Sequence, residues 1–128
     1  MKCLLDTHAF IWLITEDAKL SIAARNCILD SRTNLYLSSA SVWEIIIKSS
    51  LGKLKLSGNT QSFITRQLAV NLIEELPITF KHAFHLQNLP DHHKDPFDRM
   101  LVAQALSEKL PIITIDQEIA RYPVKTIW

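Results

Sequence analysis

The sequence predicts a single α/β domain built on a parallel sheet with helices against it. Three observations predict it. Short apolar runs bounded by polar residues, Cys3-Leu4-Leu5, Leu35-Tyr36-Leu37 and Ile112-Ile113-Thr114-Ile115, look like strands buried on both faces. Segments with helical apolar spacing alternate with those runs, as right-handed crossovers between parallel strands require. The first and the cleanest of the runs each stop at a carboxylate, on the sheet edge where open α/β sheets bind ligands.

Composition narrows the class further. The chain has 128 residues, 48% hydrophobic and 21% charged, which is one compact domain rather than a disordered chain. With no repeat and no low-complexity stretch, residues 1–128 form one domain. A formal net charge of +1 excludes attraction to an anionic polymer by bulk charge, so any such contact must be local. Cys3 and Cys27 lack metal-ligand spacing and read as buried free thiols, which fits a reducing compartment. No apolar run approaches the ~18 residues of a membrane span. The N-terminus carries no signal-peptide pattern, so a soluble, cytoplasmic protein is expected.

In chain order, Cys3–Leu5 is the first strand and Ala9–Ile14 a helical turn or two packed on the sheet. Ser21 is placed to cap a helix to about Asp30, with Ile22, Ala23, Cys27 and Ile28 or Leu29 facing inward. Leu35–Leu37 is a strand running into Ser38–Ser41. Val42, Trp43, Ile46, Ile47 and Leu51 then recur at helical spacing, with Gly52 as the stop. Lys53–Gly58 alternates charged and apolar residues, as an extended piece or a loop would. Phe63, Ile64, Leu68 and Leu72 mark another helix, and Ile73–Leu76 a short strand ended by Pro77. Thr79 begins a helix through Leu86, and Leu89–Lys94 is a polar loop. Asp95-Pro96 opens a helix from Phe97 to about Glu108. Ile112–Ile115 is the clearest strand; a short helix and a last strand, Val124–Thr126, follow it.

Acids recur where this layout meets the sheet edge: Asp6, Glu44, Asp95 with Asp98, and Asp116. Carboxylates gathered there would repel and raise one another's pKa, and a hard divalent cation with oxygen ligands such as Mg²⁺ relieves that repulsion. Each acid also has a plain structural reading. Ser41 to Glu44 has the spacing of a capping box, and Glu44 could pair with Lys48. Asp95 is placed as an N-cap before a proline, and Asp98 sits where the helix dipole favours an acid. Asp6 and Asp116 could each cap the segment that follows. Capping alone, however, does not require four acids to share one edge. The pair His92-His93 could bind a metal, but adjacent residues in a strand point to opposite faces, and the pair reads more readily as a polar loop beside an active site; His8 reads as a neighbour of Asp6 or a helix-start residue. Trp12, Trp43 and Trp128 are spaced like core or interface anchors.

Four stretches match a known pattern in order: Leu5-Asp6-Thr7-His8, Ser41-Val42-Trp43-Glu44-Ile45, Asp95-Pro96-Phe97-Asp98-Arg99 through Ala105, and Ile113-Thr114-Ile115-Asp116. Together they resemble the PIN-domain ribonucleases. The length and the Asp-Pro-Phe-Asp-Arg element are most similar to the VapC toxins of type II toxin–antitoxin pairs. The resemblance implies a PIN-like three-layer fold, with a parallel sheet of about five strands, the first central, and an acidic pocket at its C-terminal edge. It implies Mg²⁺- or Mn²⁺-dependent endonucleolytic cleavage of RNA, a cognate antitoxin partner and a homodimer. Asp6, Glu44 and Asp98 match the three main acids and Asp116 the fourth, with Asp95 a lesser candidate ligand. Thr7 and Thr114 match hydroxyl positions near the metal.

Arg99 and Lys48 are candidates to meet an RNA backbone, or plain ion-pair partners. No Walker pattern, dinucleotide fingerprint or nucleophile elbow is present. Aspartyl phosphotransfer on a receiver-like sheet fits poorly, because Asp6 is followed by Thr7 and His8 rather than a second acid. A non-catalytic PIN-like module that binds RNA or protein is the alternative to an enzyme.

Overall fold

A computed structural model describes Met1–Trp128. Five strands form one sheet: β1 (Lys2–Leu5), β2 (Asn34–Ser38), β3 (Ile73–Leu76), β4 (Ile112–Ile113) and β5 (Thr126–Ile127). Their spatial order is β3-β2-β1-β4-β5, every pair is parallel, and β1 is central, as expected. Six helices accompany them: α1 (Thr7–Ile14), α2 (Ile22–Leu29), α3 (Ser39–Ser50), α4 (Thr60–Val70), α5 (Phe80–His85) and α6 (Pro96–Glu108). No helix is long and apolar enough to cross a membrane.

The apolar runs are continuous because each strand feeds two cores. Cys3 and Leu5 pack on one face with Phe10 of α1, Ala24 and Ile28 of α2, Ile45 of α3 and Ile64 of α4. Leu4 turns to the other face and meets Leu101, Val102 and Ala105 of α6 with Ile119. The same alternation divides Ile113 from Ile112. The result is three layers, helices on either side of the sheet.

Register decides what emerges at the sheet edge. Leu5 is paired with Leu37 on one side and with Ile113 on the other. The next residue of each strand, Asp6, Ser38 and Thr114, therefore comes to this edge side by side. The backbone N–H of Asp6 still donates to the Ile113 carbonyl at 3.1 Å, which holds the end of β1 against β4.

Several sequence expectations need correction. The α3 helix is capped by Ser38, whose hydroxyl accepts from the Ala40 N–H at 3.0 Å, so Ser41 and Glu44 form no capping box. Its buried side carries Ala40, Ser41, Glu44 and Ile45, while Trp43, Ile46, Ile47 and Leu51 face out. The apolar stripe is real but lies on the opposite side from the core. In α2 the inward residues are Ala24 and Ile28 with Cys27 partly buried, whereas Ile22, Ala23 and Leu29 are exposed. The strand read at Ile112–Ile115 ends at Ile113, because Thr114 turns its hydroxyl to neighbouring groups. The last strand begins at Thr126, since Val124 is held in a turn by its N–H to the Tyr122 carbonyl at 2.7 Å.

Other expectations hold locally. Gly52 ends α3 with φ +72°, a left-handed conformation in which its N–H reaches the Ser49 carbonyl at 3.1 Å. Lys53–Gly58 is a loop. Thr79 caps α5 reciprocally with His82. Cys3 and Cys27 are free, and burial together with its Cys27 neighbour pushes the Cys3 thiol up to about 12, leaving it inert.

The reassigned face of α3 has a direct consequence for stability. Ile45→Ala, in the core, is expected to cost about 2–5 kcal/mol. Leu51→Ala, at a position 64% exposed, is expected to cost less than about 1 kcal/mol in the same urea titration. Equal costs at the two positions would contradict the orientation of the helix.

Candidate metal centre

Asp6 stands at the middle of the sheet edge, 3% exposed. It is the N-cap of α1: one carboxylate oxygen accepts from the Ala9 N–H at 2.6 Å. Its other oxygen accepts from the Thr114 hydroxyl of the neighbouring strand end. The structural reading and the functional one are thus compatible, since each carboxylate oxygen keeps a second lone pair. Burial raises the affinity of Asp6 for a proton, those two hydrogen bonds oppose it, and the Asp116 charge adds to the rise.

Thr114 links two acids. While its hydroxyl donates to Asp6, it accepts the Asp116 backbone N–H at 3.0 Å. Asp116 in turn caps the turn that follows, accepting from the Glu118 N–H at 2.8 Å and the Ile119 N–H at 3.2 Å. Thr7 links two helices at this edge. Its hydroxyl donates to that of buried Ser41 at 2.9 Å, tying α1 to α3. Glu44 lies one turn beyond Ser41 on the same buried side of α3.

Glu44 is 8% exposed and only half satisfied. One oxygen meets the Lys48 ammonium at 3.1 Å, the i,i+4 pair anticipated from sequence. The other oxygen is buried without any hydrogen-bond partner. A buried, unpaired carboxylate oxygen is costly, and such groups call for an explanation beyond packing.

Asp95 is the N-cap of α6, accepting from the Phe97 N–H at 2.8 Å and the Asp98 N–H at 3.2 Å. That cap, with Pro96 at the first helical position, presents Asp98 in the first turn. Burial comes first in pushing the Asp98 carboxyl up to about 7, and the charges of Asp95, Glu44 and Asp116 add to it. The charges of Glu44 and Asp116 act on Asp98, and that of Asp116 acts on Asp6, so β1, α3, α6 and the end of β4 bring the four acids to one edge, with Asp98 and Asp116 within ligand distance of each other.

One member of the site was read from sequence mainly as part of a polar loop beside it. The ring of His93, 13% exposed, inserts between two acids, with Nε2 2.9 Å from Asp116 and 3.2 Å from Asp98. These three side chains bring their potential ligand atoms within 4.8 Å of one another. Nδ1 accepts the Asp95 N–H at 3.1 Å. Partial burial disfavours a charged His93, whereas Asp116, Asp98 and Asp95 raise its proton affinity, with a net rise. Asp116 is partly desolvated, yet the hydrogen bonds from His93 and two backbone N–H groups hold it below the ordinary carboxylate range. His92 points elsewhere, its ring edge-on to Tyr122 at 5.0 Å. His8 lies against Trp12, with ring centroids 5.7 Å apart.

The two candidate RNA-binding cations differ in availability. Lys48 sits at the rim of the site, beside Glu44. Arg99 is committed to the loop before α6, donating to the Pro90 carbonyl at 3.0 Å and the Tyr122 hydroxyl at 3.3 Å, with Asp91 at 3.2 Å. A separate groove of about 560 Å³ runs between α3 and α4, lined by Val42, Ile46, Ile64 and Leu68 among others; none of the four acids borders it.

The site can hold a hard cation. Its free atoms are carboxylate oxygens, one of them buried without a partner, and the repulsion among the acids is what a divalent ion would cancel.

Comparison with known proteins places this geometry. Residues 3–125 match the PIN domain family. Among solved structures, the chain is similar to the crystal structure of VapBC2 from Rickettsia felis bound to a promoter DNA fragment. That match has a TM-score of 0.74 and 18% identity, and covers 98% of this chain and 97% of that one. It is also similar to VapBC-1 from nontypeable Haemophilus influenzae, with TM-score 0.63, 23% identity, and coverage of 98% and 96%. At these identities the likeness establishes the fold. No curated protein matches by sequence.

The raised Asp98 sets a pH dependence. A carboxyl that titrates at about 7 in the fold and near 4 when unfolded binds more protons in the folded state between those values, so stability falls as pH rises through that window. In the presence of EDTA, the melting temperature is expected to decline from pH 4.5 to pH 7.5 through this group, and Asp98→Asn to flatten the decline. At pH 7.5 the variant should melt a few degrees above the parent. A variant that melts lower there would contradict the electrostatic account.

Proposed function

The chain belongs to the PIN-domain family, and on that premise we propose that it is a Mg²⁺- or Mn²⁺-dependent endoribonuclease, the toxin of a VapBC-type toxin–antitoxin pair. The observation that carries the proposal is the convergence of four carboxylates from four elements on one sheet edge, with a buried Glu44 oxygen left without a partner. Both similar structures are VapBC proteins, which supports a cognate antitoxin as partner. The exposed apolar residues of α3 and α5, Trp43, Leu51, Phe80 and Phe84, supply surface for that partner and for a second copy of the chain.

Asp6 and Asp98 are the principal ligands, directly or through water. Asp6 is held in place by Thr114 and the Ala9 N–H, so it needs little rearrangement to bind. Asp98 is positioned by the first turn of α6, whose orientation Asp95 fixes; Asp95 commits one carboxylate oxygen, Oδ1, to both capping bonds and is the weaker candidate ligand. Asp116 supports the site from the β4 side. A bound divalent cation would supply an activated water and neutralise charge that builds on the phosphoryl oxygens. Glu44 directs its unpaired oxygen to orient that water or to a second cation site. Lys48, beside it, contacts the RNA backbone near the cleaved bond, the local positive charge that a net charge of +1 requires.

The test is an RNA panel incubated with EDTA-stripped protein, with and without Mg²⁺ or Mn²⁺. The parent should cleave only with metal, and Asp6→Asn and Asp98→Asn should abolish cleavage while circular dichroism shows an intact fold. Cleavage by either variant at the parental rate would overturn the assignment. Retention of RNA without product would identify a non-catalytic binding module instead.

A further inference from the structure

We propose that His93 is a positioning residue of this site: its Nε2 faces Asp98 and Asp116 and sets their spacing without itself coordinating the cation. The inference rests on the reading of the acids as a metal site.

Distance alone would equally allow His93 to be a ligand, since its Nε2 and the two carboxylates have the spacing of a three-residue metal group. Chemistry at the other ring nitrogen decides. Nδ1 faces the backbone N–H of Asp95 at 3.1 Å, and an N–H there requires a lone pair on Nδ1. A neutral imidazole with its lone pair on Nδ1 carries its proton on Nε2, which then donates to Asp116, with an Asp98 oxygen 3.2 Å from the same nitrogen. For Nε2 to bind a cation, the proton would have to move to Nδ1 and face another donor. Metal-binding histidines show the reverse arrangement, in which the non-ligating nitrogen donates to an acceptor.

The loop that carries the ring is itself held in place. The backbone N–H groups of His92 and His93 both donate to the hydroxyl of buried Tyr122, at 3.1 and 2.9 Å. Arg99 holds the same loop through the Pro90 and Leu89 carbonyls. Asp95 is at once the cap that orients Asp98 and the donor that selects the tautomer of His93. A ring nitrogen lodged between two carboxylates fixes how far apart they stand.

Two measurements test this on the full chain. Long-range ¹H–¹⁵N NMR of the histidine rings should show His93 with Nε2 protonated and Nδ1 unprotonated, before and after Mg²⁺ is added. An Nδ1–H tautomer, or loss of the Nε2 proton on adding Mg²⁺, would overturn the proposal. Calorimetric titration with Mn²⁺ should give His93→Gln, whose amide can still donate, an affinity close to the parent's. His93→Leu should bind about 10–100-fold more weakly, the usual loss when a partner of a metal ligand is removed. Parental affinity in His93→Leu, or equal losses in Leu and Gln, would refute the donor role. Asp98→Asn separates the two claims: if it binds Mn²⁺ like the parent, the metal site itself is misassigned, whereas its loss alongside an unaffected His93→Leu defeats only the role of His93.

Discussion

Everything at the functional edge depends on β1 being clamped between β2 and β4 in one register. Leu5 faces Leu37 and Ile113 at once, so Asp6 cannot leave the sheet anywhere but beside Ser38 and Thr114. Ser38 begins α3 and so delivers Glu44; Thr114 takes hold of Asp6 and, two residues on, positions Asp116. A slip of one residue in β1 would exchange Leu4 and Leu5 between the two cores and point Asp6 away from Thr114. The apolar interior therefore enforces the geometry of a polar site that it never touches.

That geometry opposes stability. Asp98 sits among Asp95, Glu44 and Asp116 in a partly dry pocket, and Glu44 keeps a buried oxygen with no partner. A protein selected for stability alone would not gather these groups. Hydrogen bonds and ion pairs offset part of the cost: Thr114 and Ala9 to Asp6, His93 to Asp116, backbone N–H groups to Asp95 and Asp116, and the close contacts of Lys48 with Glu44 and His93 with Asp98. What they leave uncompensated is net negative charge, the property a cation site needs.

Much of this was legible in the sequence for identifiable reasons. Strands buried on both faces show as unbroken apolar runs, so β1 and β2 could be read directly, and Asp95-Pro96 announced the start of α6 by cap chemistry. The inner face of α3 could not be read, because periodicity reveals an apolar stripe but not which side meets the core. Here the inward side carries Ser41 and Glu44 because the site lies there, and Trp43, Ile46 and Leu51 form the stripe on the outside. His93 was passed over because a loop has no periodicity to mark which of two adjacent histidines points inward. Its place two residues before a helix cap, close enough to accept the Asp95 N–H, is the one local signal. Convergence of the acids follows from strand order, which no single segment encodes.

The most direct measurement of the central claim is anomalous diffraction from crystals of the protein soaked in Mn²⁺. A strong anomalous peak is expected at the sheet edge, bounded by the carboxylates of Asp6, Asp98, Glu44 and Asp116. A peak elsewhere, or none at this edge with the four side chains ordered, would contradict the assignment of these acids to a metal centre.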